Sequence, residues 1–327
     1  MVSDARAESP VADLREGGTW SFRQALKNGA LYVVARALLA ALGPLPREWL
    51  MAAGRGLGGV LHATLGSARR MAMGNLSVLE NLNEKARAAL VQRTFRVLGE
   101  HLGDTVDLYG KPSLSHVFPL EEGSKDALEA ARAEGRGVVF ASAHFGPWER
   151  VAASLVRAGV PLVTLAREAY DPRLTAVLVR LRERHGVRAI FRGSPGAAAR
   201  ILRTLKRGEV LGAPMDLSSR VPSIQVPFLG RLARTAVGPA RLALRTGATV
   251  VVGTFVASGE IRVRRICTGD LRADSAGEAE LCRRINAEIS SRISSSPEHW
   301  PWMHDRFALG TPKGNPHEIS EATANPS

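Results

Sequence analysis

The sequence predicts an α/β protein in which a mostly parallel sheet is flanked by helices and preceded by a helical region. After Pro112, short apolar runs bounded by turn residues alternate with helical stretches, the order from which parallel sheets are built. Before Pro112, apolar residues recur at helical spacing, as in the stretch that begins at Asn83. The length of 327 residues and the apolar content of 45% are those of a folded globular chain, so disordered and collagen-like classes are excluded.

Four segments are expected along the chain. Residues 1–20 form a polar flexible lead, 21–115 a helical N-terminal region, 116–310 the α/β domain and 311–327 a flexible tail rich in Pro, Asn and Ser. The predicted strands are residues 137–143, 160–165, 187–191, 210–214, 248–256 and 261–266. The predicted helices are residues 22–42, 47–65, 68–79, 84–108, 124–134, 147–158, 172–185, 195–207, 238–246 and 277–295.

The chain is strongly basic, with a net charge of +13 and a pI near 10.8. Such an excess indicates a polyanionic partner, which is nucleic acid, an anionic membrane surface or a phosphorylated substrate. Aromatic residues make up only 5% of the chain and no groove-reading motif is evident, so nucleic acid is not expected. The alternative is a compositional bias toward arginine, because only six of the 44 basic residues are Lys.

The basic residues are densest over residues 180–207, where Arg180 and Arg184 share one helix face. One interpretation of this segment is a docking surface, either for anionic lipid headgroups or for an acidic carrier protein. The other interpretation is a solvated face. Residues 30–43 form an apolar stretch of 14 residues interrupted by Arg36, which is shorter than a membrane span. The stretch predicts either a buried core helix or a helix in the membrane interface.

The segment most suggestive of chemistry reads GVVFASAHFGPWE and ends at Glu149. An apolar strand ends shortly before His144, and Pro147 favours the first position of a following helix. Glu149 then lies in the first helical turn and could reach back to the imidazole, which would make His144 a competent general base. The alternative is a buried structural histidine beside an acid that merely favours the helix start. The two cysteines, Cys267 and Cys282, have neither disulfide-framework nor metal-ligand spacing.

The stretch SAHFGPWE resembles the H-x4-D/E motif of the lysophospholipid acyltransferase superfamily, and more closely that of the lipid A biosynthesis (lauroyl/myristoyl) acyltransferase family. Four further blocks follow in the family's order, namely TLARE with Arg167, LKRGEVLGAPMD ending at Asp216, VPFLGR ending at Arg231, and PEHWPWMHDRF with His304 and Arg306. The chain departs from the family at Glu168, where Pro is usual, and at Leu217, where Gln is frequent. The likeness extends over about residues 24–307.

This resemblance implies a glycerolipid acyltransferase-like fold and an O-acyltransferase. The reaction would move a fatty acyl chain from a thioester of acyl carrier protein or coenzyme A to a hydroxyl of a lipid A precursor, glycolipid or lysophospholipid. No other cofactor is implied, and the expected place is the cytoplasmic face of a bacterial inner membrane, with the N-terminal helix embedded in that anionic surface. The implied catalytic residues are His144 and Glu149, and the implied substrate-binding residues are Arg167, Asp216, Arg231, His304 and Arg306. The competing hypothesis is a non-catalytic basic protein that binds lipid or nucleic acid.

In the closing block, Trp300, Trp302, His304 and Arg306 alternate with other residues. A period of two predicts one face of an extended segment. The two tryptophans are expected either to lock the domain by packing or to sit in the membrane interface, and His304 with Arg306 to bind a headgroup.

Overall fold

The computed structural model describes residues 19–111, 113–169, 171–218 and 221–307. The expected tail, and the expected lead up to residue 18, lie outside the described residues. The helices are α1 Phe22–Leu42, α2 Arg47–Thr64, α3 Gly66–Asn75, α4 Glu84–Gly110, α5 Ser124–Ala133, α6 Trp148–Arg157, α7 Pro172–Arg184, α8 Ala197–Lys206, α9 Gly238–Thr246 and α10 Ser275–Ser295. The strands are β1 Val138–Ser142, β2 Leu162–Ala166, β3 Arg188–Phe191, β4 Val210–Pro214, β5 Ser223–Phe228, β6 Arg231–Ala236, β7 Thr249–Val256 and β8 Glu260–Ile266.

Helix α1 begins at a capping box and has no buried residue along its 21 positions. The side chain of Ser21 accepts a hydrogen bond from the backbone of Gln24, and the side chain of Gln24 accepts one from the backbone of Ser21. By length and composition alone, α1 could cross a membrane, and it is longer than the apolar stretch expected from the sequence. Its exposure excludes the buried-core alternative.

Helices α2 and α4 run side by side at backbone contact. A methyl group on Gly54 of α2 would overlap the carbonyl of Gly99 in α4, and one on Gly99 would overlap the carbonyl of Gly54. Gly58 meets the backbone at Phe95 in the same way. The absence of a Cβ atom at these positions is what lets the two helices approach so closely.

The central sheet has six strands in the order β3-β2-β4-β1-β7-β8. The first five are parallel, and β8 runs antiparallel to β7 at one edge, so the predicted mostly parallel α/β fold is confirmed. Helices cover the sheet, because each parallel connection needs a crossover. The hairpin of β5 and β6 forms a separate two-stranded sheet that the sequence pattern did not predict.

One hydrophobic core joins the helical region to the sheet. Val91 and Phe95 of α4 belong to the same buried cluster as Phe140 of β1 and Val251 of β7. The helical region therefore packs against the sheet as part of one folded body.

Candidate active site

The carboxyl edge of the sheet brings His144 and Asp216 together. Strands β1 and β4 are parallel neighbours, and Ser142 pairs with Pro214 at the last position of their register. His144 and Asp216 each lie two residues beyond that pair, and the bond from the backbone N–H of Met215 to the carbonyl of Ser142 continues the alignment. Open α/β sheets bind ligands at this edge.

Asp216 is fully buried and accepts three hydrogen bonds. Its Oδ1 lies 3.0 Å from Nδ1 of His144, and its Oδ2 accepts from the backbone N–H of His144 at 2.9 Å and from Nε1 of Trp300 at 2.8 Å. A carboxylate on Nδ1 holds the proton there and leaves Nε2 as the basic nitrogen. Within the described residues Nε2 has no hydrogen-bond partner, and the His144 side chain is 32% exposed.

The two groups shift each other's titration. Burial alone would lower the pKa of His144, but the charge and hydrogen bond of Asp216, with the charge of Glu149, outweigh it and leave that pKa raised. Burial alone would raise the pKa of Asp216, but the charge of His144 and the hydrogen bonds to its oxygens leave that pKa lowered. The pair therefore favours an ionised aspartate beside a histidine of increased basicity.

The geometry corrects the expectation that Glu149 orients His144. Glu149 does lie in the first turn of α6, but its carboxylate faces α7 and forms a two-pronged ion pair with Arg182, at 3.0 Å and 2.6 Å. Asp216, expected to bind substrate, occupies the orienting position instead. Glu149 influences His144 through its charge, without a direct hydrogen bond among the described contacts.

A buried ion cluster fixes α6, the helix that carries Glu149, against α4. Arg150 is 1% exposed and donates to both carboxylate oxygens of Asp104, at 2.8 Å and 2.7 Å, and to Asp107 at 2.6 Å. Arg47 and Lys111 bond the same two aspartates from the surface. Burying these charges is tolerated because each one is paired and hydrogen-bonded.

The turn between β1 and α6 is shaped by Gly146. Its φ of 68° lies in the left-handed region, and a methyl group there would overlap the ring of Phe255. Its N–H donates to the carbonyl of His299, which ties the turn to the closing block. Trp148 follows, 38% exposed, with its ring edge-on to the imidazole of His144 at 5.3 Å, so it lines the approach to that residue.

Arg167 lies at the same edge of the sheet, directly after β2. The N–H of Arg192, which follows β3, donates to the carbonyl of Ala166 at 2.9 Å and so brings the two arginines side by side. Burial, with the charge of Arg167, lowers the pKa of Arg192. Two guanidinium groups thus stand at the carboxyl edge, on strands beyond Asp216.

The closing block is folded differently from the single extended face that was expected. Trp300 and Trp302 are fully buried and meet edge-to-face at 4.8 Å, which confirms the packing alternative. Desolvation of its imidazole, together with the charge of His144, lowers the pKa of His304, which places that ring near the His144–Asp216 pair. Its carbonyl accepts a bond from Asn75.

Arg306 and Arg231 make no hydrogen bond to His144 or Asp216 among the described contacts. Arg306 is fully buried, donates to the carbonyl of Arg234 and to Thr235, and lies 4.4 Å over the ring of Phe228. Burial lowers the pKa of Arg306 to about 10. This surrounding makes it a packing residue and conflicts with the expected headgroup contact. Arg231 is exposed and lies over the ring of Phe307 at 5.4 Å.

Comparison with known proteins identifies the family of this chain. The sequence profile of the bacterial lipid A biosynthesis acyltransferase family matches residues 17–308. The chain belongs to this acyltransferase family. It is also 33% identical over 200 residues to a phosphatidylinositol mannoside acyltransferase of Mycolicibacterium smegmatis, and 29% identical over 187 residues to phosphatidylinositol mannoside acyltransferases from two strains of Mycobacterium tuberculosis. These matches cover 57% of this chain, and 65% and 59% of the respective relatives, so the chain spans about three fifths of their length.

Sequence reasoning missed three parts of the site of this acyltransferase family member. These are the pairing of Asp216 with His144, the bond from Trp300 to Asp216, and the ion pair between Glu149 and Arg182. The available signal was that His144 and Asp216 both follow predicted strands, which places them at one edge of a parallel sheet. The order of the strands, which makes them neighbours, is not written in that pattern.

Proposed function

We propose that this protein is a membrane-associated O-acyltransferase that uses His144 as its general base and Asp216 as the residue that orients it. The observation that carries the proposal is the 3.0 Å contact between Nδ1 of His144 and the fully buried Asp216, with Nε2 left unbonded among the described residues. A histidine held in this tautomer accepts a proton through Nε2. Family membership supplies the reaction class.

The reaction proceeds as a direct transfer. Nε2 of His144 takes the proton of the acceptor hydroxyl as the oxygen attacks the thioester carbonyl, and a carbon–oxygen bond forms. The carbon–sulfur bond then breaks, the electron pair leaves with sulfur, and the proton on Nε2 passes to the departing thiolate. Asp216 stabilises the transient imidazolium by its charge. No acyl-enzyme is required, because the thioester is already activated.

The acceptor we propose is a hydroxyl of an anionic glycolipid, and the donor a fatty acyl thioester of coenzyme A or acyl carrier protein. The mycobacterial relatives are named for acylation of phosphatidylinositol mannoside, which combines sugar hydroxyls with a phosphate. Arg167 and Arg192, at the carboxyl edge beyond Asp216, supply positive charge for a phosphate of acceptor or donor. His304, which is close enough to His144 and Asp216 for their charges to act on it, contacts the bound acceptor.

The arrangement of α1 supports a position at a membrane surface, and the surface we propose is the cytoplasmic face of the inner membrane. One face of α1 contacts the protein: Arg36 donates to the hydroxyl of Tyr109 at 3.1 Å, and Tyr32 lies under Arg173 at 4.9 Å. The other face exposes Leu31, Val34 and Leu38, which are 52–61% accessible. A helix that is docked along one side and apolar along the other fits in the plane of a bilayer surface.

Thioester turnover tests this function. Purified protein in detergent is given acyl-CoA or acyl carrier protein thioester, with phosphatidylinositol mannoside, a lipid A precursor or a lysophospholipid, and released thiol and acylated product are both measured. His144→Ala should lower turnover by about 10²–10⁴-fold. His62→Ala, which changes a histidine on α2 far along the chain from the site, should keep wild-type turnover. Undiminished turnover in His144→Ala would refute the mechanism, and no turnover by wild type with any of these pairs would refute the substrate class.

A further inference from the structure

A second basic site lies where α1 meets the α/β body. A cavity of about 250 Å³ is lined by Arg36 and Ala40 of α1, Tyr109 of α4, and Arg180, Leu181 and Arg184 of α7. Three of these six residues are arginines, and none is acidic. The cavity therefore concentrates positive charge at the junction of three helices.

Two of the three arginines of this cavity bond a hydroxyl or backbone oxygen, and none has a carboxylate partner in the described part of the chain. Arg36 donates to the hydroxyl of Tyr109, and Arg184 donates to the Tyr109 carbonyl at 2.8 Å. Among the ion pairs of the described residues, none of Arg36, Arg180 and Arg184 has a carboxylate partner. By contrast, Arg173 and Arg182 on the same helix are paired with Asp171 and Glu149. Three neighbouring guanidinium groups repel one another, and a bound anion would relieve that cost.

The cavity lies on a different face of α7 from the ion pair with Glu149. Arg180 and Arg184 are four residues apart and share a face of α7, whereas Arg182 points to Glu149 from the opposite face. The cavity side of α7 faces α1 and Tyr109 of α4, whereas its other side faces Glu149 of α6. His144 is not among the residues that line the cavity.

We propose that Arg36, Arg180 and Arg184 form a binding site for the phosphate headgroup of an anionic membrane lipid that is not the acyl acceptor. The occupant is a lipid because the cavity borders α1, whose outer face is exposed and apolar and would lie beside the acyl chains. The arginine cluster then holds α1 at the depth of the headgroups. An acidic carrier protein is the less favoured occupant, since it would leave the exposed apolar face of α1 beside the cavity uncovered. The proposal rests on the membrane association of the proposed function.

Vesicle flotation of the full chain tests this site. Phosphatidylcholine vesicles with and without phosphatidylglycerol are compared for the wild type, Arg180→Gln/Arg184→Gln, and a control of equal charge, Arg203→Gln/Arg207→Gln, at the exposed end of α8. The cavity variant should lose roughly thirtyfold in affinity for phosphatidylglycerol vesicles, from about a fivefold loss per arginine near a headgroup. The logarithm of the affinity for these vesicles should fall less than half as far in the control as in the cavity variant. Equal losses in both variants would show diffuse surface attraction and overturn the proposal.

Two further arms identify the occupant. Glycerol 3-phosphate or inorganic phosphate should displace the wild type from the vesicles only weakly, and full displacement at concentrations matched to the lipid would establish a free-anion site instead. If the cavity variant binds vesicles normally but loses turnover only with acyl carrier protein as donor, the arginines serve the carrier and the lipid assignment is wrong.

Arg180→Gln alone breaks no hydrogen bond to described residues, and its unchanged thermal midpoint would separate lost binding from lost folding.

The outcome is independent of the catalytic proposal. His144→Ala should float with phosphatidylglycerol vesicles like the wild type. Turnover retained in His144→Ala would refute the reaction mechanism and leave the headgroup site standing, whereas undiminished flotation of the cavity variant would refute the headgroup site and leave the mechanism standing.

Discussion

Neutralising the two carboxylates near His144 one at a time should separate the orienting residue from its neighbour. Asp216→Asn and Glu149→Gln each remove one negative charge with little change of shape. Only Asp216 touches the imidazole, at 3.0 Å, while Glu149 is engaged by Arg182. We expect Asp216→Asn to lower kcat by about 10²–10⁴-fold, because the amide no longer fixes the tautomer or stabilises the imidazolium. Glu149→Gln should lower kcat by about tenfold or less.

The pH profile gives the second half of this prediction. The base acts when His144 is neutral, so activity falls as the pH drops through its pKa, and the raised pKa of His144 places that fall above the ordinary value of 6.5. Asp216→Asn removes the largest favourable influence on the imidazolium, so the pKa of His144 falls and the acid limb moves to lower pH. Glu149→Gln also moves the acid limb to lower pH, but by less, because the charge of Glu149 raises the pKa of His144 less than Asp216 does. The charge of Arg182, which lowers that pKa, remains in this variant.

The assay is kcat/KM for thiol release from pH 5 to 9, with thermal midpoints measured on the same samples. The stability control matters for Glu149→Gln, because it leaves a half-buried Arg182 without its partner, at a cost of up to about 3 kcal/mol. A larger loss of kcat in Glu149→Gln than in Asp216→Asn, or an unmoved acid limb in Asp216→Asn, would refute the assignment of Asp216. Such a result would favour Glu149 as the orienting acid.

Three further outcomes concern folding and the support of the site. Gly54→Ala should destabilise the fold by about 1–3 kcal/mol, because its methyl group meets the backbone of α4. A methyl group at Gly56 on the same helix meets nothing within 4 Å, so Gly56→Ala should stabilise the fold by about 0.5–1 kcal/mol. Urea unfolding measures both variants. A change of the same sign in both free energies of unfolding would contradict the contact at Gly54. Arg150→Met should destabilise the fold by about 3–5 kcal/mol, because it leaves two buried aspartates poorly paired. The control Arg157→Met changes an exposed arginine and should alter the stability by less than about 0.5 kcal/mol. Similar unfolding midpoints for the two variants would argue against the ion cluster. Trp300→Phe removes one of the three donors to Asp216 and should lower the free energy of unfolding by about 1.5–3 kcal/mol. An unchanged free energy of unfolding in this variant would contradict the importance of that bond.

The helices and the main strands were predictable because their patterns are long and their ends are marked. Asn83 caps α4 as expected, and β4 has the predicted bounds, Val210–Pro214. The position of His144 just beyond a strand was predictable for the same reason. Local periodicity and end signals are carried by neighbouring residues, so they survive without knowledge of the tertiary structure.

The partner of His144 was not predictable from local pattern. Glu149 is the acid nearest in sequence, but Asp216 is nearer in space because β4 lies beside β1 after two intervening strands have been placed elsewhere. Strand order depends on crossovers between distant segments, which periodicity does not report. The direction of the Glu149 side chain depends in turn on Arg182, which comes from a third segment.

The β5–β6 hairpin escaped prediction for a different reason. Its two-residue loop consists of Leu229 and Gly230, and both have positive φ, at 50° and 78°. Loops of this conformation usually contain Asn-Gly or Asp-Gly, whereas leucine is rarely found there. Leu229 is held in it by burial and by the hydrogen bond from its N–H to Ser290. A tertiary contact therefore replaces the sequence signal.

The ion cluster around Arg150 limits how the chain can be shortened for solution work. Removing α1 takes away no buried side chain, so a version that begins near Pro46 keeps its core and loses an apolar outer surface. Beginning instead at residue 116 would remove Asp104 and Asp107 and leave the guanidinium of Arg150 buried without a counter-charge. It would also strip Val91 and Phe95 from the core. For crystallisation or directed evolution, the smallest unit that keeps the buried core and ion cluster therefore includes α2 to α4, and its natural cutting point is the turn that follows Gly43.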